Sequence, residues 1–318
     1  IAKEGYLAHP YAMGYFPLYP LLINGLAALT GLHLVTAGLL IAQVSYLVAL
    51  LVMYQLARVV RDEPGFAWRA VLALAAFPTA FFFLAMYAES LALAFGLLAV
   101  YLALRGRWVW SGLALGVAAA ARPVGWLIGL VLLVEFLRRR QFTWRSVAAF
   151  VTAGLLAGSG IVAYVVYLYQ LTGSWTAITA AQSLWLRKWT WPWVTLGKSL
   201  GIALTGNGVE GDWFLYVINW SDLLFTLLAI GLLILGVRRL PASLTIYLAT
   251  TLVFVLCQQG LEVVPLWGLT RWVASMTPIY LVLADRLRGG WRSWLALGAS
   301  ALAQVALVAW WASGRWVG

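Results

Sequence analysis

Long apolar runs, separated by short joints that carry most of the charge, dominate this sequence and limit its possible folds. Of the 318 residues, 64% are hydrophobic and only 10% are charged. A soluble domain of this size needs more charged residues to cover its surface. The runs are continuous and do not alternate with polar residues, which excludes a membrane β-barrel. The sequence therefore predicts an all-α fold, a polytopic bundle of transmembrane helices forming a single domain over residues 1–318.

Ten apolar segments of about spanning length follow one another along the chain, so the visible sequence predicts ten crossings. Several segments are short for a crossing, and tilted or re-entrant helices are compatible with them. The segments cover residues 35–59, 66–86, 88–105, 107–121, 123–137, 143–170, 214–237, 242–260, 269–287 and 291–313.

Basic residues are unequally divided between the two sides that ten crossings define. The joints on one side hold most of the 21 basic residues, and the positive-inside rule makes that side cytoplasmic. The net charge of +11 therefore indicates membrane anchoring and not nucleic acid binding. The opposite, outer side receives residues 1–34, the joint 86–89, Arg122 and the loops 171–213 and 261–268.

Acidic residues are divided the other way, so the outer face holds charges of both signs. On the inner face, acidic groups among arginines are expected to form solvated pairs; these are Asp62, Glu63, Glu135 and Asp285. The acidic residues on or near the outer face are Glu4, Glu89, Glu210, Asp212, Asp222 and Glu262. We therefore expect the functional site at the outer face.

The first residues contain YFPLYPLLI, Tyr15 to Ile23, in which two prolines disfavour a regular helix. The apolar stretch that follows is too short to span a membrane. Residues 1–34 are therefore predicted to form an outer loop whose second part is a short interfacial helix. The alternative is a poorly formed additional span, which would invert the charge pattern.

Lone charges mark three outer-facing positions. Glu89 is the one ionisable group in FPTAFFFLAMYAESLALAF, and a carboxylate at membrane depth normally faces protein or water at a functional site. The alternative for Glu89 is a helix cap formed together with Ser90. Arg122, in AAARPVGW, requires a carboxylate or an anionic ligand as partner. Arg271, in GLTRWVASMTP, either joins such a site or extends its side chain to the interface.

The outer loop contains AAQSLWLRKWTWPW, from Ala180 to Trp193, which combines cations with crowded tryptophans. Gln182, Trp185 and Arg187 are predicted to project from a short helical turn. A guanidinium can hold a phosphate through two parallel hydrogen bonds, so this loop suits a lipid-linked phosphate. The alternative is attraction to anionic lipid headgroups.

An ordered series of short motifs covers nearly the whole chain. IAKEGY is followed by FPLYPLL, MYAESL, ARPVGW, AAQSLWLRKWTWPW, TRWVASMTP and a terminal GRWVG. In this order they resemble the bacterial relatives of the second GPI mannosyltransferase, which are membrane glycosyltransferases of the GT-C fold class.

The resemblance implies an inverting transfer of mannose, or a similar hexose, from a polyprenyl-phosphate-linked donor. The acceptor would be a lipid, a glycan or a protein at the outside of the bacterial plasma membrane, among the membrane lipids. Neither a nucleotide nor any other cofactor is implied. Cys257, His9 and His33 are too few and too scattered to predict a metal site.

In that family a first span and a Trp-Asp motif precede the counterpart of IAKEGY. The sequence is therefore expected to lack a first span, which would bring the total to eleven, and the expected catalytic base that follows that span.

The resemblance also suggests roles for named residues. Arg187, Arg122 and Arg271, in that order, are the candidates for a cationic clamp on the leaving phosphate. Glu89 is the candidate secondary carboxylate, which orients sugar hydroxyls or pairs with an arginine, and His9 is a candidate hydrogen-bonding group at the reaction. The substrate-binding candidates are completed by Tyr6, Gln182 and Trp185.

Two other classes of protein fit the composition. A transporter or lipid flippase would carry ionisable groups at mid-membrane and paired broken helices, whereas the lone charges here lie at outer span ends. A non-catalytic membrane scaffold would use the tryptophans and arginines of the outer loop for headgroups alone.

Overall fold

The protein is described here by a computed structural model that covers residues 1–3, 5–8, 10–184 and 186–314. The side chains of Pro10, Tyr11, Val124 and Gln182 lie outside that description. Within it the chain folds almost entirely into helices, and its β-structure consists of two paired two-residue strands. The prediction of an all-α fold is therefore confirmed.

The fourteen α-helices of the described chain vary widely in length. In order they are α1 Leu18–Thr30, α2 Leu34–Val60, α3 Pro64–Ala75, α4 Glu89–Leu104, α5 Trp108–Ala121, α6 Gly129–Arg139, α7 Trp144–Thr172, α8 Ala177–Leu184, α9 Pro192–Thr205, α10 Trp213–Gly236, α11 Ala242–Leu256, α12 Leu269–Ala274, α13 Pro278–Arg286 and α14 Trp291–Ala312. Strand β1, Lys188–Trp189, pairs antiparallel with β2, Gln258–Gln259. Short 3-10 helices cover Pro10–Gly14, Ala80–Phe83 and Pro123–Ile128.

Helices occur in each of the ten predicted segments, but four of the described helices, α2, α7, α10 and α14, are long and apolar enough to cross a membrane. This composition is compatible with an integral membrane protein. Three predicted segments, 66–86, 123–137 and 269–287, are each divided into two helical pieces. Pro78 and Pro278 lie at two of these breaks, where a proline removes a backbone donor. The count of ten crossings therefore stays a prediction.

Short apolar helices and parts of the long helices α2 and α10 form the centre of the molecule, whereas the long helices α7 and α14 are mostly exposed. One large cluster of buried side chains joins α2, α3, α4, α5, α6, α10, α11 and α13. By contrast, α14 has no buried residue. Its Ser300 hydroxyl nevertheless donates to the Ala76 carbonyl oxygen at 2.6 Å, which ties α14 to the end of α3.

Glycines allow α5 and α7 to approach closely. A Cβ added at Gly112 would overlap the backbone of Ala153, and one added at Gly160 would lie 2.8 Å from the Cβ of Ala120. By contrast, a Cβ at Gly154 of α7 would meet no atom within 4 Å. The contact therefore depends on small residues at particular positions, as in other membrane helix pairs.

Ion pairs at the end of the bundle predicted to face inward are partly buried. Asp285 is 6% exposed and accepts from Arg61 at 3.0 Å, and it also pairs with Arg239. Glu135, 8% exposed, accepts from Ser243 at 2.6 Å. Solvated pairing was therefore the wrong expectation for Asp285 and Glu135, because each joins helices that are distant in sequence.

Solvated pairing is found at Asp62 and Glu63. Asp62 pairs with Arg58 one helical turn away, and Glu63 pairs with Arg69 at 3.0 Å. Both carboxylate side chains are about half exposed or more. These pairs follow the expectation for charges that lie close in sequence on a helix surface.

The N-terminal residues pack on the C-terminal half of α7. The Tyr164 hydroxyl donates to the carbonyl oxygens of Met13 and Tyr15, both at 3.0 Å. Helix α1 has 13 residues, which is too short to span a membrane. The segment 1–34 thus contains the short helix that the sequence predicts, and that helix begins at Leu18.

Candidate active site

Four joints that the sequence assigns to the outer face meet at one end of the bundle. Glu89 is the first residue of α4, Arg122 directly follows α5, Arg187 directly precedes β1, and Arg271 lies in α12. We call the three arginines, with Glu89 and Trp272, the arginine cluster. Its members come from four chain segments that are far apart in sequence.

Glu89 is the common partner of two arginines. Its Oε1 atom lies 3.1 Å from Arg122 Nη1 and 3.1 Å from Arg271 Nε. Glu89 is only 5% exposed, and a buried carboxylate is costly unless it is paired and hydrogen-bonded. Neither the cap interpretation of Glu89 nor the extension of Arg271 to the interface describes this arrangement.

Trp272 lies between two of the guanidinium groups in the cluster. The guanidinium carbon of Arg187 lies 5.4 Å from the Trp272 ring centroid, and that of Arg122 lies 5.6 Å from it. Both distances fall within the range of cation–π attraction. The ring therefore holds two like charges near each other without supplying a negative charge.

Arg187 reaches the cluster from the outer loop. Its Nη1 atom donates to Gln258 Oε1 at 3.5 Å, a long hydrogen bond. Burial, and then the charges of Arg271 and Arg122, lower the pKa of Arg187 to about 10. Arg187 therefore keeps its charge at neutral pH, and a neighbouring anion would stabilise that charge.

Arg271 also faces aromatic rings. Its guanidinium carbon lies 5.7 Å from the Phe82 ring centroid and 5.5 Å from that of Tyr87. Within the described cluster, Arg122 and Arg271 thus share the carboxylate of Glu89, and Arg187 adds a third positive charge nearby. Such an excess of positive charge favours an anionic ligand.

Asp222 holds the short helix that carries Arg271 and Trp272. This fully buried carboxylate accepts from the backbone nitrogens of Gly268 at 3.2 Å and Thr270 at 2.9 Å. Gly268 has a φ of +85°, which glycine adopts without strain. Asp222 therefore fixes the start of α12 and, through it, the direction of the two cluster side chains.

Two short paired strands lie next to Arg187 of the cluster. Besides the pairing of β1 with β2, the Thr190 nitrogen donates to the Cys257 carbonyl oxygen at 2.8 Å. Glu262 accepts from Lys188 at 3.1 Å and from Lys198 at 2.8 Å. We call β1, β2 and these three charged residues the strand clasp. It links the 171–213 loop to the segment that precedes α12.

A cavity lies beside the cluster. It holds about 540 Å³ of empty space, part of it open to the surroundings. Its lining includes Glu89, Arg122 and Trp272 from the cluster, and α4, α11 and the segment between α12 and α13 provide its other walls. Small-molecule sites commonly combine apolar walls with a few polar groups, as this lining does.

Of the other predicted site residues, Tyr6 alone has a described side chain, and its described contacts are away from the cluster. Tyr6 is buried elsewhere, where its hydroxyl donates to the Tyr15 carbonyl oxygen at 3.1 Å and its ring packs against Tyr164. His9 and Trp185 lie outside the described residues. Gln182 belongs to α8, but its side chain lies outside the description. The roles predicted for these four residues therefore stay predictions.

Several residues of the site have features in the sequence from which no role was predicted. Gln258 and Gln259 form a polar pair at the end of an apolar run, and Trp272 follows Arg271 directly. Asp222 was placed near the outer face without a role. Its backbone partners, Gly268 and Thr270, lie more than 40 positions later in the chain, and no local pattern joins them.

The fold and the cluster together define a helical protein, compatible with a membrane, that has a buried cationic site at one end. No family model, curated protein or solved structure matches this chain. The resemblance to the GPI mannosyltransferase relatives therefore rests on the quoted motifs.

Proposed function

We propose that this protein is a membrane glycosyltransferase of GT-C type. It transfers mannose or a similar hexose from a polyprenyl-phosphate-linked donor to a lipid, glycan or protein acceptor. Transfer takes place by an inverting single displacement at the extracytoplasmic face of the bacterial plasma membrane. The observation that carries this proposal is the arginine cluster, in which Arg122 and Arg271 pair with Glu89 and Arg187 lies over the same Trp272 ring as Arg122.

The chemistry of the leaving group matches a cationic site. When the bond between the sugar and the phosphate breaks, negative charge develops on the departing lipid phosphate. Fixed positive groups in a site that excludes water stabilise that charge most strongly. Arg187 is the primary ligand of the phosphate in this proposal, since its described polar partner is the neutral amide of Gln258.

Glu89 acts in this proposal by holding Arg122 and Arg271. Its Oε1 atom already contacts both guanidinium groups at 3.1 Å. The base that accepts the proton of the acceptor hydroxyl is not assigned to a described residue. Among the outer acidic groups, Asp222 is bound to backbone nitrogens and Glu262 to two lysines.

The test uses the protein in phospholipid vesicles with radiolabelled polyprenyl-phosphate mannose as the donor and a bacterial lipid extract as the acceptor source. We expect protein-dependent release of polyprenyl phosphate. Arg187→Ala is expected to slow release by about 100-fold, the usual cost of losing one stabilising donor. Arg187→Lys should restore only part of the rate, because an ammonium lacks the planar fork of a guanidinium.

The control is Arg145→Ala, which removes an exposed arginine of α7 far from the cluster in sequence. It should leave release unchanged. Release that never exceeds that of protein-free vesicles would overturn the proposal. If intact donor moved across the membrane of sealed vesicles and no polyprenyl phosphate were formed, the protein would instead be a flippase.

A further inference from the structure

Five exposed arginines gather at the end of the bundle opposite the arginine cluster. They are Arg105 and Arg107, in the joint between α4 and α5, and Arg138, Arg139 and Arg140, at and just after the end of α6. We call these five residues the basic patch. Helix α4 has 16 residues and begins at Glu89, so its length places the patch about 24 Å from the arginine cluster. The patch is therefore a separate feature of the molecule.

Arg139 holds the two parts of the basic patch together. Its Nη2 atom donates to the carbonyl oxygen of Leu104 at 2.5 Å, and its guanidinium carbon lies 5.6 Å from the Trp108 ring centroid. Trp108 also packs against Phe136 of α6, with ring centroids 5.6 Å apart. Two chain segments that are distant in sequence thus form one surface.

The basic patch carries more positive charge than its carboxylate can balance. Among the described residues, the ion pair of the patch joins Arg138 to Glu135 at 3.4 Å. Other arginines at the same end are paired more closely, since Arg61 lies 3.0 Å from Asp285 and Arg239 pairs with the same carboxylate. The remaining four arginines of the patch have no carboxylate partner within the described chain. The patch therefore favours an anionic ligand.

An exposed apolar face of α7 begins beside the patch. Trp144, Val147, Val151 and Leu155 recur at intervals of three and four residues, so they lie on one side of the helix. Each of these residues is between 40% and 79% exposed. Trp144 follows Arg140 by four positions, so their Cα atoms are at most about 14 Å apart. Positive charge and an apolar strip are thus within reach of a single amphiphilic molecule.

We infer that the basic patch binds the headgroup of an anionic phospholipid whose acyl chains lie along the exposed face of α7. The arginines complement the phosphate, because a guanidinium can donate two parallel hydrogen bonds to it. Basic residues next to the apolar part of membrane helices commonly recognise anionic headgroups. A soluble anion or an acidic protein would leave the apolar face of α7 without a partner. This inference does not depend on the proposed function.

The test measures the binding of single lipids to the protein in a neutral detergent by native mass spectrometry. The lipids are phosphatidylglycerol and phosphatidylcholine with the same acyl chains. We expect the wild-type protein to bind phosphatidylglycerol about tenfold more tightly. Glycerophosphoglycerol, which is the same headgroup without acyl chains, should not displace the bound lipid at equal concentration.

Arg107→Gln combined with Arg140→Gln removes two charges of the basic patch. Neither side chain makes a hydrogen bond or an ion pair to a described residue, so the variant should keep the wild-type Tm without lipid. Its affinity for phosphatidylglycerol should fall about tenfold, because both charges act on the headgroup. Its affinity for phosphatidylcholine should not change.

The matched control combines Arg238→Gln with Arg286→Gln. These two arginines are also exposed and also make no side-chain hydrogen bond or ion pair to a described residue, but they follow α10 and end α13, outside the patch. The control loses the same net charge and should change the Kd for phosphatidylglycerol by less than about threefold.

Three outcomes would overturn the inference. Equal affinity of the wild-type protein for the two lipids would show that the headgroup is not recognised. Equal losses in the two double variants would show that net charge attracts the lipid and that the patch does not. Displacement of phosphatidylglycerol by an equal concentration of glycerophosphoglycerol would show a site for a free anion. A loss confined to the patch variant would support the inference.

Discussion

At the scale of single residues, Glu89 is the carboxylate that pairs with two arginines of the cluster. It is nearly buried, and its Oε1 atom faces Arg122 and Arg271 at 3.1 Å each. Burying three guanidinium groups near one another is unfavourable without a negative charge between them. The Glu89 carboxylate therefore balances part of the positive charge of the cluster.

We therefore expect Glu89→Gln to lower the free energy of unfolding by about 3 kcal/mol, the usual cost of breaking a buried ion pair from one side. Denaturation in detergent with increasing sodium dodecyl sulfate measures this. Glu63→Gln breaks an exposed pair with Arg69 and should change the free energy by less than about 1 kcal/mol. Equal losses in both variants would show that Glu89 has no special electrostatic role.

Addition of a polyprenyl phosphate should restore part of the stability that Glu89→Gln removes. Because the ligand brings negative charge to the three guanidinium groups, its stabilising effect should be larger in this variant than in the wild-type protein. The comparison requires only two unfolding curves for each protein, with and without the lipid. A ligand effect that is the same in both proteins would place the anion away from Glu89.

At the scale of secondary-structure elements, the contact between α5 and α7 determines how α7 is held. Helix α7 has 29 residues, of which few are buried, and its closest approach is to the glycines of α5. Since Arg122 directly follows α5, a displacement of this helix also displaces a member of the arginine cluster. Packing in the middle of the bundle therefore supports the geometry at its end.

Gly112→Ala is expected to destabilise the protein by about 1–3 kcal/mol, the usual range for overpacking, because the added Cβ meets the backbone of Ala153. Gly154→Ala is the matched control on α7, where the added Cβ meets no atom within 4 Å. That control should be neutral or slightly stabilising, since alanine favours helix. Thermal unfolding of both variants in the same detergent compares them directly. A neutral Gly112→Ala would contradict the observed approach.

At the scale of the whole molecule, the strand clasp joins two chain segments about 70 residues apart. Glu262 pairs with Lys188 and Lys198, and the hydrogen bonds from these lysines, that from Lys198 first, lower the pKa of Glu262 to about 2. A carboxylate with a lowered pKa stabilises the fold above its usual pKa near 4.5. That stabilisation is lost as the pH falls through about 2.

The difference in Tm between the wild-type protein and Glu262→Gln should therefore depend on pH. It should be constant above about pH 5, decrease below pH 4.5 and disappear near pH 2. Because these groups are exposed to solvent, 1 M salt should also reduce the difference at neutral pH. A difference that stays constant from pH 6 to pH 2 would show that the lysines do not act on the Glu262 carboxylate.

Sequence patterns predicted the helical class and the grouping of Glu89, Arg122, Arg187 and Arg271 at one end, since hydropathy and charge distribution are local and additive. They did not predict the breaks within α-helical segments, nor helix α9 inside the outer loop. Sequence patterns also did not predict the partners of the buried groups. Asp285 reaches Arg61, and Thr251 faces a cavity with walls from several helices. Such contacts depend on three-dimensional packing, and no local sequence pattern indicates them.

The pair of exposed Arg61 and buried Asp285 joins two parts of the chain that are synthesised at different times. Asp285 follows Arg61 by 224 positions, and Arg61 is at the end of α2. A growing chain therefore presents this arginine long before its carboxylate has been made, and contacts between distant residues form late. Nascent chains that stop before α13 keep an uncompensated cation at that end. An unfinished chain therefore differs from a finished one in its balance of charge at that end.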